Sequence, residues 1–502
     1  MLFRNSTTKV IMCGILGIFG FNFDNAEESL DLQNHRGPDN TGIWEKADVF
    51  LGHKRLSILD LNPRSNQPFQ IDNEVIIFNG EIYNYRELAK EHNLDLITTS
   101  DTEVVLLMYQ KYKEKCLSYF NGMFSFVIYN TSTEEYFVAR DRLGIKPLYW
   151  HHNSYSKDIF SSEICSIKAL IPTTLDPFSI RQYKKLRMCV NNDTFFKEIR
   201  MFPAAHYMYS GQEPCRYWDI DLDPKEAPTD AELFELLSSS VSYRAIADVN
   251  VGSYLSGGLD STIITALLKP ENSWTVGFED LNEFKWAALA SKQYQTEHEA
   301  LVVDENLFWE TMEFMVKKRG EPLSVPNEVL IYLMTKRVKT KNTVVLSGEG
   351  ADELFFGYDR IFRWANLTNE FDISGFDAKY SYGKHEDFEV LDYALSQTKG
   401  QTSLEKVNYY FLTNHIQGLL RRLDNSTMLC SVEGRVPFLD HRLIDRLAGV
   451  SFDWKMGSTF KSSLKRAVSE IVPKDIIERK KMGFPVPISY DNWIEKNLEM
   501  FE

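Results

Sequence analysis

Along residues 12 to about 205 the hydrophobic positions come in short β-rich runs separated by Gly, Asn and Asp. Val75-Ile76-Ile77-Phe78 and Phe124-Ser125-Phe126-Val127-Ile128-Tyr129 predict strands in packed antiparallel sheets. Residues 102–112 place Val105, Met108 and Tyr112 on one face at helical spacing. This half reads as α+β. From 206 to 228 the periodicity lapses into Gly211, Pro214, Pro224 and Pro228 among acids, which reads as a linker. Thr229-Asp230-Ala231-Glu232 then fits a capping box, and Leu233, Leu236, Leu237 and Val241 continue it as a helix. Strand–glycine loop–helix units follow at 249–268, with the helix beginning near Thr262, and at 343–355, which predicts a parallel α/β sheet. The chain divides accordingly into 1–11, 12–205, 206–228 and 229–502.

Composition narrows the function. With 502 residues, 43% hydrophobic and 25% charged, the chain is globular and large enough for two to four domains, which excludes disordered and fibrous classes. A net charge of −15 argues against a nucleic-acid partner. No apolar run approaches the roughly 18 residues of a membrane span. Residues 10–21 resemble a signal peptide behind Arg4 and Lys9, but Gly14, Gly17 and Gly20 break the run and Asn-Phe-Asp-Asn stands where small cleavage-site residues belong. Cys13, Cys116, Cys165, Cys189, Cys215 and Cys430 form no C-x-x-C pair, which argues against a disulfide framework or zinc site and for a reducing, cytoplasmic compartment.

The front half carries a set of short motifs with a common chemical sense. If Cys13 led the mature chain, its α-amine, with a pKa near ~7.7–8, would take the thiol proton near neutral pH. His35-Arg36-Gly37-Pro38-Asp39, Arg55-Leu56-Ser57-Ile58, Asn79-Gly80-Glu81-Ile82-Tyr83-Asn84 and Ser100-Asp101-Thr102-Glu103 follow in order. An amino-acid amide presents a carboxylate, an ammonium and a neutral carbonyl. Arg55 suits the first and Asp101 the second, while the Asn79 carboxamide and Gly80 N–H suit an oxyanion. These motifs, continued by Asn121-Gly122-Met123-Phe124, the stretch 139–149 and Ser162-Glu163-Ile164, resemble those of the class II glutamine amidotransferases. The resemblance implies an αββα glutaminase domain with Cys13 as N-terminal nucleophile. Glutamine would be held by Arg55, Leu56, Ser57, Ile58, Leu59, Asn79, Gly80, Glu81 and Asp101. Residues 1–11 precede the nucleophile, so Met12 is the true start, or the extension is a removed propeptide, or the glutaminase is inactive.

The back half carries a phosphate loop of a different kind. Ser256-Gly257-Gly258-Leu259-Asp260-Ser261 turns a strand into a helix and offers N–H groups to phosphate, with no P-loop lysine. The S-G-G-x-D-S form resembles that of ATP pyrophosphatases. Ser347-Gly348-Glu349-Gly350-Ala351-Asp352 follows a second strand, so Asp260 and Asp352 could share Mg²⁺ on the departing pyrophosphate. Together with Ser431–Asp440 and Arg479-Lys480-Lys481-Met482-Gly483-Phe484-Pro485, these segments resemble those of the glutamine-hydrolysing asparagine synthetases.

That resemblance implies ATP contacts at Leu255, Ser256, Gly257, Gly258, Asp260, Ser261, Val276, Ser347 and Gly348. It also implies an important acid at Glu349, a pyrophosphate-facing lysine at Lys481, and aspartate amidation through β-aspartyl-AMP. The partners are then the small molecules glutamine, aspartate and ATP, with dimers common in the family. Two departures bear on the acceptor: 320–336 contains no arginine, and Phe355-Phe356-Gly357-Tyr358 replaces F-G-G-Y. Amidation or cyclisation of another acid, or a non-catalytic regulatory paralogue, are the alternatives.

Overall fold

A computed structural model describes residues 13–20, 24–37, 39–153, 157–383, 385–481, 483 and 486–501. The extension 1–11, Met12, Pro38, Met482, Phe484 and Pro485 lie outside the described residues. No helix among the described residues is long and apolar enough to cross a membrane. All six cysteines are free thiols.

The front half stacks two six-stranded antiparallel sheets. In the first, Gly14–Phe19 lies between Lys157–Ser161 and Val49–Arg55, so residues 14–19 of the stretch with signal-peptide character form a fully buried central strand. In the second, Glu74–Ile82 pairs with Gly122–Asn130 along its length, Asn79 opposite Ser125 and Gly80 opposite Phe124. Alternation sorts the strand's side chains. Val75 and Ile77 pack between the sheets with Ile15, Leu51 and Val127, whereas Ile76 and Phe78 face the core shared with Val104, Val105 and Met108 of the helix Asp101–Tyr112. Helices Ala26–Asp31 and Ile164–Leu170 pack together against the outer face of the first sheet. The layers are therefore αββα.

The expected linker begins later than the glycines and prolines suggest. His206–Tyr209 pairs with Glu135–Arg140, and Cys215–Arg216 pairs with His206–Tyr209, so both belong to the second sheet. Gly211 and Pro214 mark a hairpin, and the irregular connection covers only 217–228. At Thr229 the capping box forms as expected, opening the helix Asp230–Arg244.

The back half is built on a five-stranded, wholly parallel sheet ordered Glu297–Val302, Asn272–Gly277, Val251–Tyr254, Val344–Leu346, Glu433–Arg435. Chain order reverses between Val251–Tyr254 and Val344–Leu346. The loops leaving these two strands diverge there and open a crevice at their carboxyl ends. A separate helical cluster between Asp359 and Phe411 packs through Phe362, Phe376, Tyr410 and Phe411, and also takes in Leu186, Met188 and Val190 from the front half.

Candidate active sites

In the front half the strand starting at Gly14 brings Cys13 beside the end of Val49–Arg55. Its Sγ is 3.4 Å from the Leu56 N–H and 3.7 Å from the Leu56 carbonyl. Burial pushes the thiol up to about 12, against the pull of the Leu56 backbone and Arg55, so the side chain alone supplies no thiolate at neutral pH. Arg36 Nε donates to the Cys13 carbonyl at 3.2 Å.

Ser162 ties the oxyanion candidates to this strand: its Oγ accepts from Ile15 N at 3.1 Å and from Asn79 Nδ2 at 3.3 Å. At Gly80 an added Cβ would stand 2.1 Å from the Met123 carbonyl, so the tight pairing of the two strands admits only glycine. The Ser100 hydroxyl caps the helix that begins at Asp101, and Asp101 Oδ2 accepts from Ile82 N at 2.8 Å. Burial raises the Asp101 carboxyl to about 7, with the N–H groups of Ile82 and Thr102 opposing it; an arriving ammonium would restore its charge.

Arg55 is partly committed elsewhere. Its terminal nitrogens donate to the carbonyls of Leu59, Asp60 and Asn62 and to Asn66 Oδ1, holding the loop that follows Ile58. Asp248 of the back half braces the same loop, donating to the Ile58 carbonyl and accepting from Asp60 N, both at 2.9 Å. Glu81 faces Arg435 of the back half at 3.4 Å.

In the back half a cavity of about 830 Å³ opens at the reversal point of the sheet. Leu255, Ser256, Gly258, Asp260, Ser261, Val276, Ser347, Gly348, Glu349, Asp352 and Lys481 all line it. Gly257 instead packs against the Trp286 backbone, and its carbonyl accepts from Arg479 at 2.8 Å. The helix begins at Leu259, not near Thr262, because extended Gly258 caps it; Asp260 and Ser261 therefore fall in the first turn. Ser261 Oγ lies 3.0 Å from Ser256 Oγ and accepts from Ser256 N at 3.2 Å, closing the turn.

The charge balance here includes residues the motifs did not single out. Lys461 is fully buried, with Nζ 2.7 Å from Asp260 Oδ1 and 2.5 Å from Asp352 Oδ1, and Lys481 Nζ reaches Asp352 Oδ1 at 2.6 Å. Burial opposes ionisation of Asp352, yet the two lysines outweigh it and hold its carboxyl down at about 2. Asp260, burdened by burial and by Asp352, is raised despite Lys461. Glu349 pairs with Arg422 at 2.5 Å. Among the described residues no group of three or more His, Cys, Asp or Glu could hold a metal. The two aspartates offer hard oxygen donors suited to Mg²⁺ only in company with phosphate oxygens.

A buried chain of ion pairs joins the two sites. Arg36 contacts Glu163 at 2.7 Å and Asp424 at 2.9 Å; Lys146 reaches Asp424 at 3.6 Å and Glu433 at 3.1 Å; Arg435 joins Glu433 at 2.7 Å to Glu81. Asp424 and Arg422 lie on one helix, Ile416–Met428, so the segment that contacts Arg36 also carries the partner of Glu349. A second cavity of about 290 Å³ lies outside both sites, between residues 189–220 and 397–421.

Two family models match the chain: a glutamine amidotransferase domain over residues 12–218 and asparagine synthase over 232–501. Asparagine synthetase (glutamine-hydrolyzing) 3 of Bacillus subtilis (strain 168) is 29% identical, over 94% of this chain and 87% of its own length. A putative glutamine-hydrolyzing asparagine synthetase of Mycobacterium bovis is 30% identical, over 91% and 83%. An amidase of Penicillium rubens, chyE, is 31% identical over 70% of this chain and 57% of its own length.

Proposed function

We propose, from the premise that this chain belongs to the asparagine synthase family and carries a glutamine amidotransferase domain ahead of it, that it converts aspartate to asparagine with ATP and with ammonia from glutamine. The observation that carries this reading is the meeting of both glycine loops, Glu349, Lys461 and Lys481 in one cavity at the reversal point of a parallel sheet, in the same chain as Cys13 and its partners.

At the front site Cys13 attacks the glutamine carboxamide carbon, its proton passing to its own α-amine once Cys13 leads the chain. Asn79 Nδ2 and Gly80 N–H stabilise the oxyanion, ammonia leaves, and water then releases glutamate from the thioester. Arg55 contributes positive charge toward the glutamine carboxylate, and Asp101 receives the ammonium.

At the back site the N–H groups of the 256–261 turn hold phosphate and orient ATP, while Leu255, Val276, Ser347 and Gly348 hold the adenylate portion. An acceptor carboxylate oxygen attacks the α-phosphorus, pyrophosphate departs toward Lys461 and Lys481, and the resulting acyl-AMP carries an electrophilic carbonyl. Asp260 and Asp352 would hold Mg²⁺ with pyrophosphate oxygens, the ion supplying charge neutralisation. Glu349 accepts a proton from ammonia as it attacks that carbonyl and AMP leaves. Productive turnover requires that water be kept from the acyl-AMP until ammonia reaches it.

Exchange of labelled pyrophosphate into ATP, measured over a panel of carboxylic acids without a nitrogen donor, tests the reading. Aspartate should support exchange best. Cys13→Ala should abolish glutamine-dependent amide formation and spare formation from ammonium salts. Cleavage of ATP to ADP and phosphate would overturn the mechanism.

A further inference from the structure

Most cations around the synthetase cavity already face a carboxylate. Lys461 faces Asp260 and Asp352, Lys481 faces Asp352, Arg479 pairs with Glu283 and Arg422 with Glu349. Among the described lining residues, Arg187 and Lys465 are the cations left without such a partner. Lys465 packs its Nζ 4.1 Å from the Phe460 ring centroid and feels the charge of Lys461, so it belongs to the Asp260–Asp352 end. Arg187 stands on the Arg422 side of the cavity wall. It shares the wall of a small void with Arg422 and Ser324, and its charge bears on His415 together with those of Arg422, the partner of Glu349, and of Asp352.

The local fold explains why an arginine from the amidotransferase half is found there. The helix Pro177–Leu186 ends with Arg187 in the left-handed region, at φ 65° and ψ 13°, its N–H closing on the Tyr183 carbonyl. Glycine usually takes such a C-terminal position, so an arginine there is held against a backbone preference. On either side the chain is anchored: Lys185 binds Asp377 at 2.7 Å and the His385 carbonyl at 2.7 Å, and Leu186 and Met188 are buried in the helical cluster. The Arg187 guanidinium lies 3.0 Å from the Tyr382 ring centroid. This cation–π contact seats the guanidinium at the cavity wall, and an arginine fork is suited to gripping a carboxylate through two parallel hydrogen bonds.

We infer that Arg187 recognises a second carboxylate on the acceptor acid, the one that is not activated, and so restricts the acceptor to dicarboxylates of about the size of aspartate. This rests on the reading of the cavity as an acid-activating site. Arg187 lines the same cavity as the phosphate loop and Glu349, so an acid activated there can set its other carboxylate against this guanidinium. The stretch 320–336, which contains no arginine, is then not required to supply that contact.

The test compares pyrophosphate exchange supported by aspartate and by β-alanine, which is aspartate without the α-carboxylate, in wild type, Arg187→Met and Arg187→Lys. The Met variant should raise KM for aspartate roughly 10–100-fold, the effect of losing a charge-assisted pair, while exchange with β-alanine changes less than threefold. Preference for aspartate then collapses, and the Lys variant should restore part of it. Glutamine hydrolysis, read at the separate front site, reports that each variant is folded. A Met variant that keeps the wild-type preference for aspartate, or loses both acids equally, overturns the inference. So does a wild type that activates monocarboxylates better than aspartate. Wild-type protein that exchanges pyrophosphate with no acid at all overturns the reading of the cavity itself.

Discussion

Lys455 stands fully buried in the helical cluster with its Nζ 4.2 Å from the Phe356 ring centroid and no acceptor among the described residues. Burial lowers its ammonium from 10.5 to about 7. Because the folded-state value lies below the unfolded one, the unfolded chain binds the extra proton between those limits. The penalty on folding is absent above about pH 10.5, grows as pH falls to about 7, and is constant below. Lys455→Met should therefore stabilise the protein by on the order of 1–4 kcal/mol at pH 7 and by almost nothing near pH 10.5, measured by denaturant unfolding at both pH values. At this scale the legible residues were those inside motifs: the chemistry proposed for Cys13, Asn79, Asp260 and Glu349 is marked by neighbouring glycines and acids. Lys461, Arg422 and Arg187 carry no such local mark. Their importance comes from what faces them across the cavity, 201 residues away in the case of Lys461 and Asp260.

The strand–loop–helix elements were readable because each buries a continuous or alternating apolar run and ends in residues with special backbone needs. Gly257 has φ 74°, and a Cβ there would meet the Trp286 backbone carbon at 2.3 Å. Gly257→Ala should push the phosphate turn out of register, costing about 1–3 kcal/mol of local strain and lowering pyrophosphate exchange at least tenfold, with glutamine hydrolysis intact; an unchanged exchange rate would refute that role for the turn. Punctuation alone misplaced one boundary. Gly211 and Pro214 interrupt the pattern as a linker does, yet the aromatic run His206–Tyr209 completes a sheet edge. The helices between Asp359 and Phe411 carried no motif, so their packing against Leu186 and Met188 was not legible.

Across the whole molecule, Arg36, Lys146, Glu433 and Arg435 are buried with Asp424 where the halves meet. Removing the charge at Asp424 leaves Arg36 and Lys146 short of a partner, and breaking a buried pair costs about 3–5 kcal/mol. Asp424→Asn should thus lower the unfolding midpoint and, in the protein that remains folded, reduce glutamine-dependent amide formation more than ammonia-dependent formation. Equal losses in the two assays would count against a coupling role. Sequence by itself determined the two-part architecture and marked Cys13, the 256–261 turn and the Glu349 loop as candidates, because each depends on short-range spacing, backbone conformation and side-chain type. Tertiary structure alone decided which charges neutralise one another, that Arg55 is partly committed to its own loop, that the front half lends Arg187 to the back cavity, and that Arg36 and Glu349 touch one helix. Those facts depend on distances between segments far apart in the chain, and burial makes each such pairing obligatory while leaving no periodic trace of it along the sequence.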